Sequence, residues 1–381
     1  LDPTMPSINI PAMSINFTPN NIDVKNSQIN LGKSDLNLNA TFLNPLAILS
    51  TTGECVATIN LNSNNFDINE WSQDQSSTKE EESSTAPEFL KNMKLDVAGN
   101  FKNIQYETYN IKNLDGKINF QNDNLKIVES NLQLNDDALQ LNGNLSPLMA
   151  FVYQNNLLKG NLNINGPEFN LTKFLGEETT NSESTSTENF EVPKGMDIGI
   201  NFNINKLLYD KVTLNQLKGN LQVANDEIKI NNMTTSAMGG QMALSGSYNS
   251  ADITKPSFDL KYDLKSIQFP KAFEQILSFK QLAPVAKFIE GIFNSTFTAK
   301  GILGKNMMPD LNSLTASGII ETVNGAIKGY KPIEALASKL NLNDFKTLNI
   351  QNTKNWFTVE NGTVSIKEMH KTVQDIDVNI S

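Results

Sequence analysis

The side chains that most often carry out covalent chemistry are scarce in this chain. Its 381 residues include one histidine, His370, and one cysteine, Cys55. A Ser-His or Cys-His nucleophile would have to use His370, which lies in no catalytic motif, and a zinc site would need further ligands. We therefore expect His370 to be a surface or strand-end residue and Cys55 to be a buried small apolar residue.

Paired carboxylates and glycines are the other candidates for chemistry. Asp136-Asp137 and Asp226-Glu227 could serve a glycosidase or bind calcium. Both pairs lie in predicted hairpin turns, interpreted as matching positions of an internal repeat, where aspartate is expected for backbone reasons. Gly239-Gly240 lacks the lysine and the strand-helix context of a phosphate-binding loop. The sequence thus predicts no catalytic residue, metal site or cofactor, and a protein that is not an enzyme.

The chain resembles itself at a spacing of 103 residues. The segment 60–71 falls on 163–174, apolar on apolar, and Leu114-Asp-Gly116 falls on Leu217-Lys-Gly219. The shift also places one acidic, Ser/Thr-rich stretch on another. The chain begins partway through a copy and without an initiator methionine, which indicates a fragment of a longer protein. Repetition of one module favours an extended array over a globule with a catalytic centre.

Charge narrows the range of partners. The formal net charge is −10 and the isoelectric point is about 4.8. Phosphate neutralisation needs clustered lysine and arginine, so a nucleic-acid partner is not expected. The same charge argues against electrostatic docking on anionic lipid.

Hydrophobicity alternates with a period of two along most of the chain. This pattern predicts strands with one wet and one dry face, and so antiparallel sheet. Two stretches break it: a predicted amphipathic helix pair over 270–292, divided at Pro284, and a short predicted helix from Pro332 to Leu340. The expected fold is mainly β, a long curled antiparallel sheet of repeats that forms a hydrophobic groove, with a few short amphipathic helices.

The predicted segments follow in chain order. They are a partial first β-repeat (1–71), an acidic disordered loop (72–88), a second β-repeat (89–174), a second acidic disordered loop (175–192), a third β-repeat (193–269), the amphipathic helix pair (270–292) and a C-terminal β-module (293–381).

The dry faces must be covered, yet the sequence supplies few helices to cover them. The sheet could close on itself, receive a partner, or form a trough for apolar ligand, and repetition favours the trough. The candidate groove residues are Phe66, Ile68, Trp71, Leu95, Val97, Phe101, Leu139, Leu141, Phe169, Leu171, Phe174, Ile198, Ile200, Phe202, Ile204, Phe258, Leu260, Tyr262 and Leu264. Candidates for a helical plug are Phe273, Ile276, Leu277, Phe288 and Ile289. Acyl chains suit such a groove because each buried methylene contributes about 0.8 kcal/mol whatever the sequence detail.

Several short motifs resemble a known family. They are Phe297-Thr-Ala-Lys-Gly301, the run from Pro309 to Gly318, Asn324-Gly-Ala-Ile327, the helix from Pro332 to Leu340, Phe357-Thr-Val-Glu-Asn-Gly362, and the block from Leu217 to Gly246. Together they are similar to the C-terminal region of AsmA-like envelope proteins and to the strand-turn-strand unit that those proteins repeat.

That resemblance implies a non-enzymatic protein of the Gram-negative bacterial envelope, in the periplasm and anchored to the inner membrane by an N-terminal helix missing from this sequence. The implied function is transfer of phospholipid or another acyl-chain lipid between inner and outer membrane through a β-groove. It also implies support of outer-membrane assembly, with a possible partner there. The alternative from the residues themselves is a structural or adhesive β-repeat protein with a self-packed core and no ligand.

Overall fold

A computed structural model describes residues 7–49, 53–70, 87–174, 190–304, 308–339, 347–367, 369–373 and 376–380. Strands account for 66% and helices for 16%, which confirms a mainly β fold. Among the described residues, twenty strands belong to one mixed sheet, and two form a separate hairpin. The chain divides into two compact units, residues 1–167 with 195–201, and residues 168–194 with 202–381.

The strands in the first half of the chain are β1 (Ile8–Thr18), β2 (Asn21–Leu31), β3 (Ser34–Leu43), β4 (Cys55–Ser63), β5 (Phe66–Asp67), β6 (Met93–Tyr106), β7 (Tyr109–Gln121), β8 (Asn124–Leu134), β9 (Asp137–Ser146) and β10 (Leu158–Asn170). One α-helix, α1 (Leu148–Gln154), and short 3₁₀ helices at Pro45–Leu49, Ile68–Glu70, Glu88–Asn92 and Leu171–Phe174 accompany them.

The later strands are β11 (Met196–Tyr209), β12 (Val212–Ala224), β13 (Glu227–Ala237), β14 (Gly240–Asn249), β15 (Ser257–Gln268), β16 (Ile289–Ile302), β17 (Thr315–Lys328), β18 (Thr347–Asn349), β19 (Thr353–Glu360), β20 (Thr363–Ile366), β21 (Met369–Val373) and β22 (Ile376–Ile380). The helices here are α2 (Phe269–Gln275), α3 (Leu277–Leu282), a 3₁₀ turn at Pro284–Phe288, and α4 (Lys331–Lys339).

The 103-residue repeat is present in the fold. The four strands β6 to β9 recur as β11 to β14, with each strand beginning and ending 103 residues later. Backbone conformation recurs too: Asn122 and Asp123 have positive φ, and so do Asn225 and Asp226. Because a left-handed backbone is unfavourable for most residues, its recurrence shows that the turns repeat as well as the strands.

Irregularities in the strand pairing also recur. The register shifts between Val24 and Ser27 where β2 pairs with β3, and the same shift lies 103 residues later between Ile127 and Ser130. A third copy lies between Ile230 and Met233. A β-bulge bends its strand and increases the local twist, so each copy of the module bends at the same register.

The sheet is mainly antiparallel, as predicted, but it includes parallel pairing at the first repeat junction. Strands β4 and β5 both pair with β6 in parallel, with Cys55 opposite Met93. A parallel pairing requires the chain to return along the strand length before the next strand begins. The acidic stretch between them is long enough to span that distance, because an extended chain covers about 3.3 Å per residue. In the third copy helices occupy the connection, and β15 and β16 pair antiparallel.

The helix predictions are confirmed in part. Helix α4 lies where a short helix was predicted, with Pro332 in its first turn. The predicted pair over 270–292 was expected to divide at Pro284. The structure instead divides it between α2 and α3, and a 3₁₀ turn follows that ends at Phe288. The residues from Ile289 onward pair with β17 as a strand, because the period of two resumes there. Both acidic loops lie outside the described residues, except for their final residues, 87–88 and 190–192.

A carboxylate stabilises the break between β4 and β5. The Asp35 carboxylate accepts hydrogen bonds from the backbone N–H groups of Asn64 and Asn65 at 3.0 and 2.7 Å. The Asn64 side-chain amide also donates to it at 2.9 Å. Partial burial raises the pKa of Asp35, but these hydrogen bonds outweigh burial and hold the pKa below its usual value.

Replacing Asp35 with alanine is expected to lower the free energy of unfolding by about 1 to 2 kcal/mol at neutral pH. Because the pKa is lowered in the folded state, the carboxylate stabilises the fold above about pH 4 and loses this contribution as the pH falls through the folded pKa. Urea unfolding at pH 7 and at pH 3 measures this. A difference between Asp35→Ala and wild type that is the same at both pH values would contradict the assignment.

Candidate functional site

The residues most suited to catalysis are not arranged for it. Cys55 is fully buried at the start of β4, packed with Ala47, Ala57 and Met93, as predicted. Burial raises the pKa of its thiol, so the reactive thiolate is disfavoured. His370 lies in the short strand β21, of which only the backbone is described. No cluster of three potential metal ligands occurs in the described residues.

The two carboxylate pairs lie in or beside hairpin turns, as predicted, but they do not match each other in the repeat. Asp136 lies in the turn between β8 and β9, whereas Asp226 lies between β12 and β13. The repeat partner of Asp226 is Asp123, whose carboxylate accepts a hydrogen bond from Ala150 N at 3.3 Å and caps α1. Asp123, Asp136 and Asp226 all have positive φ, which aspartate tolerates better than most residues, so the turn backbone accounts for aspartate at these positions. The Asp136 carboxylate also forms an ion pair with Lys112 at 2.7 Å.

An apolar face runs across consecutive strands in the first unit. Strand pairing places Ala57 beside Leu95 and Leu95 beside Phe120. Two residues further along the strands, Ile59 lies beside Val97, and Val97 beside Ile118. The intervening residues, such as Asn60 and Lys117, point to the opposite side. Apolar residues of neighbouring strands therefore lie side by side on one face of the sheet, and polar residues lie on the other.

The second unit has a corresponding apolar face. Leu244 lies opposite Tyr262, and Tyr262 opposite Phe297. The rings of Tyr262 and Phe297 stack at 4.7 Å, and Phe297 meets Phe357 at 5.8 Å. Burial raises the pKa of Tyr262 to about 12, with a smaller contribution from Tyr209. Phe297 and Phe357 were absent from the predicted groove residues, although their alternation with polar residues could have identified them.

Most predicted groove residues are only half-buried. Four are buried: Ile198, Ile204, Phe258 and Leu264. The half-buried ones are Phe66, Ile68, Leu95, Val97, Phe101, Leu139, Leu141, Phe169, Leu171, Ile200, Phe202, Leu260 and Tyr262. Trp71 and the side chain of Phe174 lie outside the described residues. A fully packed core would bury nearly all of these side chains, so the apolar face retains area that can accept further contact.

Helical cover of these faces lies near strand ends. In the first unit, Ala47 of the turn at Pro45–Leu49 packs on Cys55 and Ala57, where β4 begins. In the second, Phe269 and Ala272 of α2 pack on Ile267 and Phe293 in a buried cluster. Because β15 leads directly into α2, these helical residues lie next to the last residues of that strand.

The predicted plug residues lie around this cluster. Ile276 and Ile289 are partly buried against it, whereas Leu277 is 48% exposed. Phe273 is half-buried, and Phe288 meets the ring of Tyr330 at 5.3 Å. These side chains cover one end of the sheet, and their role as a plug stays a prediction.

Two clefts lie on the second unit, and polar residues predominate in the lining of both. One, of about 920 Å³, is lined by polar residues at one end of β12 to β15, with Lys265 and Lys271. Another, of about 460 Å³, is lined mainly by polar residues, including Asp259 and Lys300. Both clefts are open to solvent, so neither is an enclosed ligand pocket.

No helix among the described residues is long and apolar enough to cross a membrane. The chain matches no protein-family model, no curated protein and no solved structure.

Proposed function

We propose that this chain is a non-enzymatic lipid-binding protein that holds acyl chains along its apolar face. The observation that carries this proposal is the incomplete burial of successive apolar residues, Leu139 and Leu141 in the first unit and Leu260 in the second. A sheet face of this kind is unfavourable in water unless another apolar surface covers it.

The energetics favour acyl chains as the covering material. Each methylene removed from water contributes about 0.8 kcal/mol, so one chain lying across several strands gains enough to bind without specific polar contacts. This accounts for the lack of a sequence motif, because alternation alone creates the surface. The aromatic group around Phe297 adds flat area on which an acyl chain can pack.

The proposal extends to a cellular setting through the resemblance to AsmA-like proteins. In this proposal the protein belongs to the periplasm of a Gram-negative bacterium and is anchored to the inner membrane by a helix outside this sequence. It carries phospholipid between inner and outer membrane and supports outer-membrane assembly, with a partner at the outer membrane.

The first test is extraction of natively purified protein with organic solvent, followed by mass spectrometry of the extract. Phospholipid in stoichiometric amount is the expected result. A lipid-free protein that also takes up no fluorescent phospholipid would overturn the proposal and favour a self-packed structural or adhesive repeat.

A photocrosslinking experiment tests where the lipid lies. Leu260 and Lys261 are neighbours in β15 that point to opposite faces of the sheet. Benzoylphenylalanine at position 260 is expected to crosslink bound phospholipid, whereas the same group at position 261 serves as the matched control. Equal crosslinking at both positions would show that lipid contacts the protein without preference for the apolar face.

A further inference from the structure

The helices of the second unit gather at one end of its sheet. Strand β15 runs into α2, the turn at Pro284–Phe288 runs into β16, and β17 ends shortly before α4. Because β15, β16 and β17 are antiparallel neighbours, these connections lie at the same end. The contact between Phe288 and Tyr330 joins the two helical segments. We call residues 265–291 and 326–339 the helical end.

The helical end is basic within an acidic protein. It contains seven lysines and three glutamates, 7 − 3 = +4, whereas the whole chain has a formal net charge of −10. Lys328 and Glu290 form an ion pair at 2.5 Å. The other lysines are Lys265, Lys271, Lys280, Lys287, Lys331 and Lys339. Within the described part of the chain, none of these six has a carboxylate within salt-bridge distance.

Large aliphatic side chains are exposed at the same end. Leu277 of α3 is 48% exposed, Val285 is 39% exposed and Leu336 of α4 is 58% exposed. Lys280 lies 5.9 Å from the ring centroid of Phe273, and Lys287 lies 4.7 Å from that of Phe288. Lysines therefore flank the exposed apolar groups on short helices. Such a combination suits the boundary between lipid headgroups and acyl chains.

We propose that the helical end docks on the surface of an anionic lipid bilayer. The unpaired lysines attract anionic headgroups, and the exposed aliphatic side chains enter the outer part of the acyl layer. Two copies cannot pair through this end, because both carry the same positive charge there. The exposed aliphatic side chains of Leu277, Val285 and Leu336 beside the lysines favour a bilayer, which offers anionic headgroups and an acyl layer together. The inference does not depend on lipid binding by the apolar face, because docking uses different residues.

Co-sedimentation with vesicles tests this inference. The full chain is expected to bind vesicles of phosphatidylcholine with phosphatidylglycerol and to bind pure phosphatidylcholine much more weakly. Raising the salt concentration is expected to weaken binding, because exposed charges are screened. Replacing Lys280 and Lys287 with glutamate is expected to lower the partition coefficient at least about tenfold.

A matched control variant tests whether vesicle binding depends on the lysines of the helical end or only on the net charge of the chain. Lys126 and Lys159 are exposed lysines of the other unit, and Lys126→Glu with Lys159→Glu changes the net charge by the same amount. This control is expected to bind anionic vesicles as the wild type does. Equal loss of binding in both variants would overturn the proposal, as would binding that ignores phosphatidylglycerol or an absence of binding.

The aliphatic contribution has its own variant. Leu277→Ser with Val285→Ser keeps every charge and removes exposed apolar groups, so circular dichroism is expected to show an unchanged fold. Weaker vesicle binding supports insertion into the acyl layer. Unchanged binding would contradict insertion and overturn the docking geometry proposed here.

Discussion

Leu139→Asp combined with Leu141→Asp is expected to strip bound phospholipid from a chain that stays folded. Both leucines lie in β9 on the apolar face, where Leu139 pairs with Leu132 and Leu141 with Ile164. An aspartate against an acyl chain loses hydration without a compensating hydrogen bond, so bound lipid is expected to fall more than about tenfold. Because both positions are only partly buried, the carboxylates are expected to reach water once lipid has left, and the fold is expected to survive.

The same strand supplies the control. Ala138 and Gln140 alternate with the two leucines, are exposed, and point to the opposite face. Ala138→Asp with Gln140→Asp adds the same charge to the same strand and is expected to keep its lipid. Solvent extraction and mass spectrometry measure bound lipid, and circular dichroism reports the fold. If the Leu139 and Leu141 variant retained its lipid, the lipid would not lie on this part of the apolar face.

Alanine at Gly143 or at Gly246 is expected to destabilise the sheet by about 3 kcal/mol or more. The two glycines are 103 residues apart, with φ of +154° and +139°. A Cβ atom at Gly143 would lie 2.1 Å from the carbonyl oxygen of Asn161, and at Gly246 it would lie 2.0 Å from that of Asp259. Both obstacles are backbone atoms of a paired strand, so the strand pairing itself must shift.

The variant Gly329→Ala is a control that has the backbone strain without the steric clash. Its φ is +69°, yet a Cβ atom there would meet nothing within 4 Å. Gly329→Ala is therefore expected to cost only about 1 kcal/mol, from the left-handed backbone alone. Urea unfolding of the three variants measures the difference. Similar unfolding midpoints for Gly143→Ala and Gly329→Ala would show that the close approach of the backbones is not maintained in solution.

Much of the fold could be predicted from the sequence because alternation and repetition are local signals. The dry face follows from residues such as Leu139 and Leu141, and the repeat from Leu114-Asp-Gly116 and its match at Leu217. The parallel pairing of β4 with β6 could not be predicted this way. Strands β4 and β15 both alternate, and only the course of the connection decides whether the next strand runs parallel or antiparallel.

The proposed membrane-docking end could not be predicted from local sequence patterns either. The net charge of the chain argued against anionic lipid, because a sum over all residues hides a local excess of lysine. Strand pairing at one end of the sheet brings residues 265–291 together with residues 326–339. Their lysines are distant in sequence, so neither stretch alone indicates a basic surface.

The sequence by itself determined the β class, the 103-residue module, the two faces of each strand and the burial of Cys55. Each of these depends on the types of residues a short distance apart, through the alternation of strand faces and the preferences of turns. Only the tertiary structure decided which strands pair, how far the apolar face is left uncovered and where the lysines gather. Those features depend on contacts between segments far apart in the chain, which no local pattern specifies.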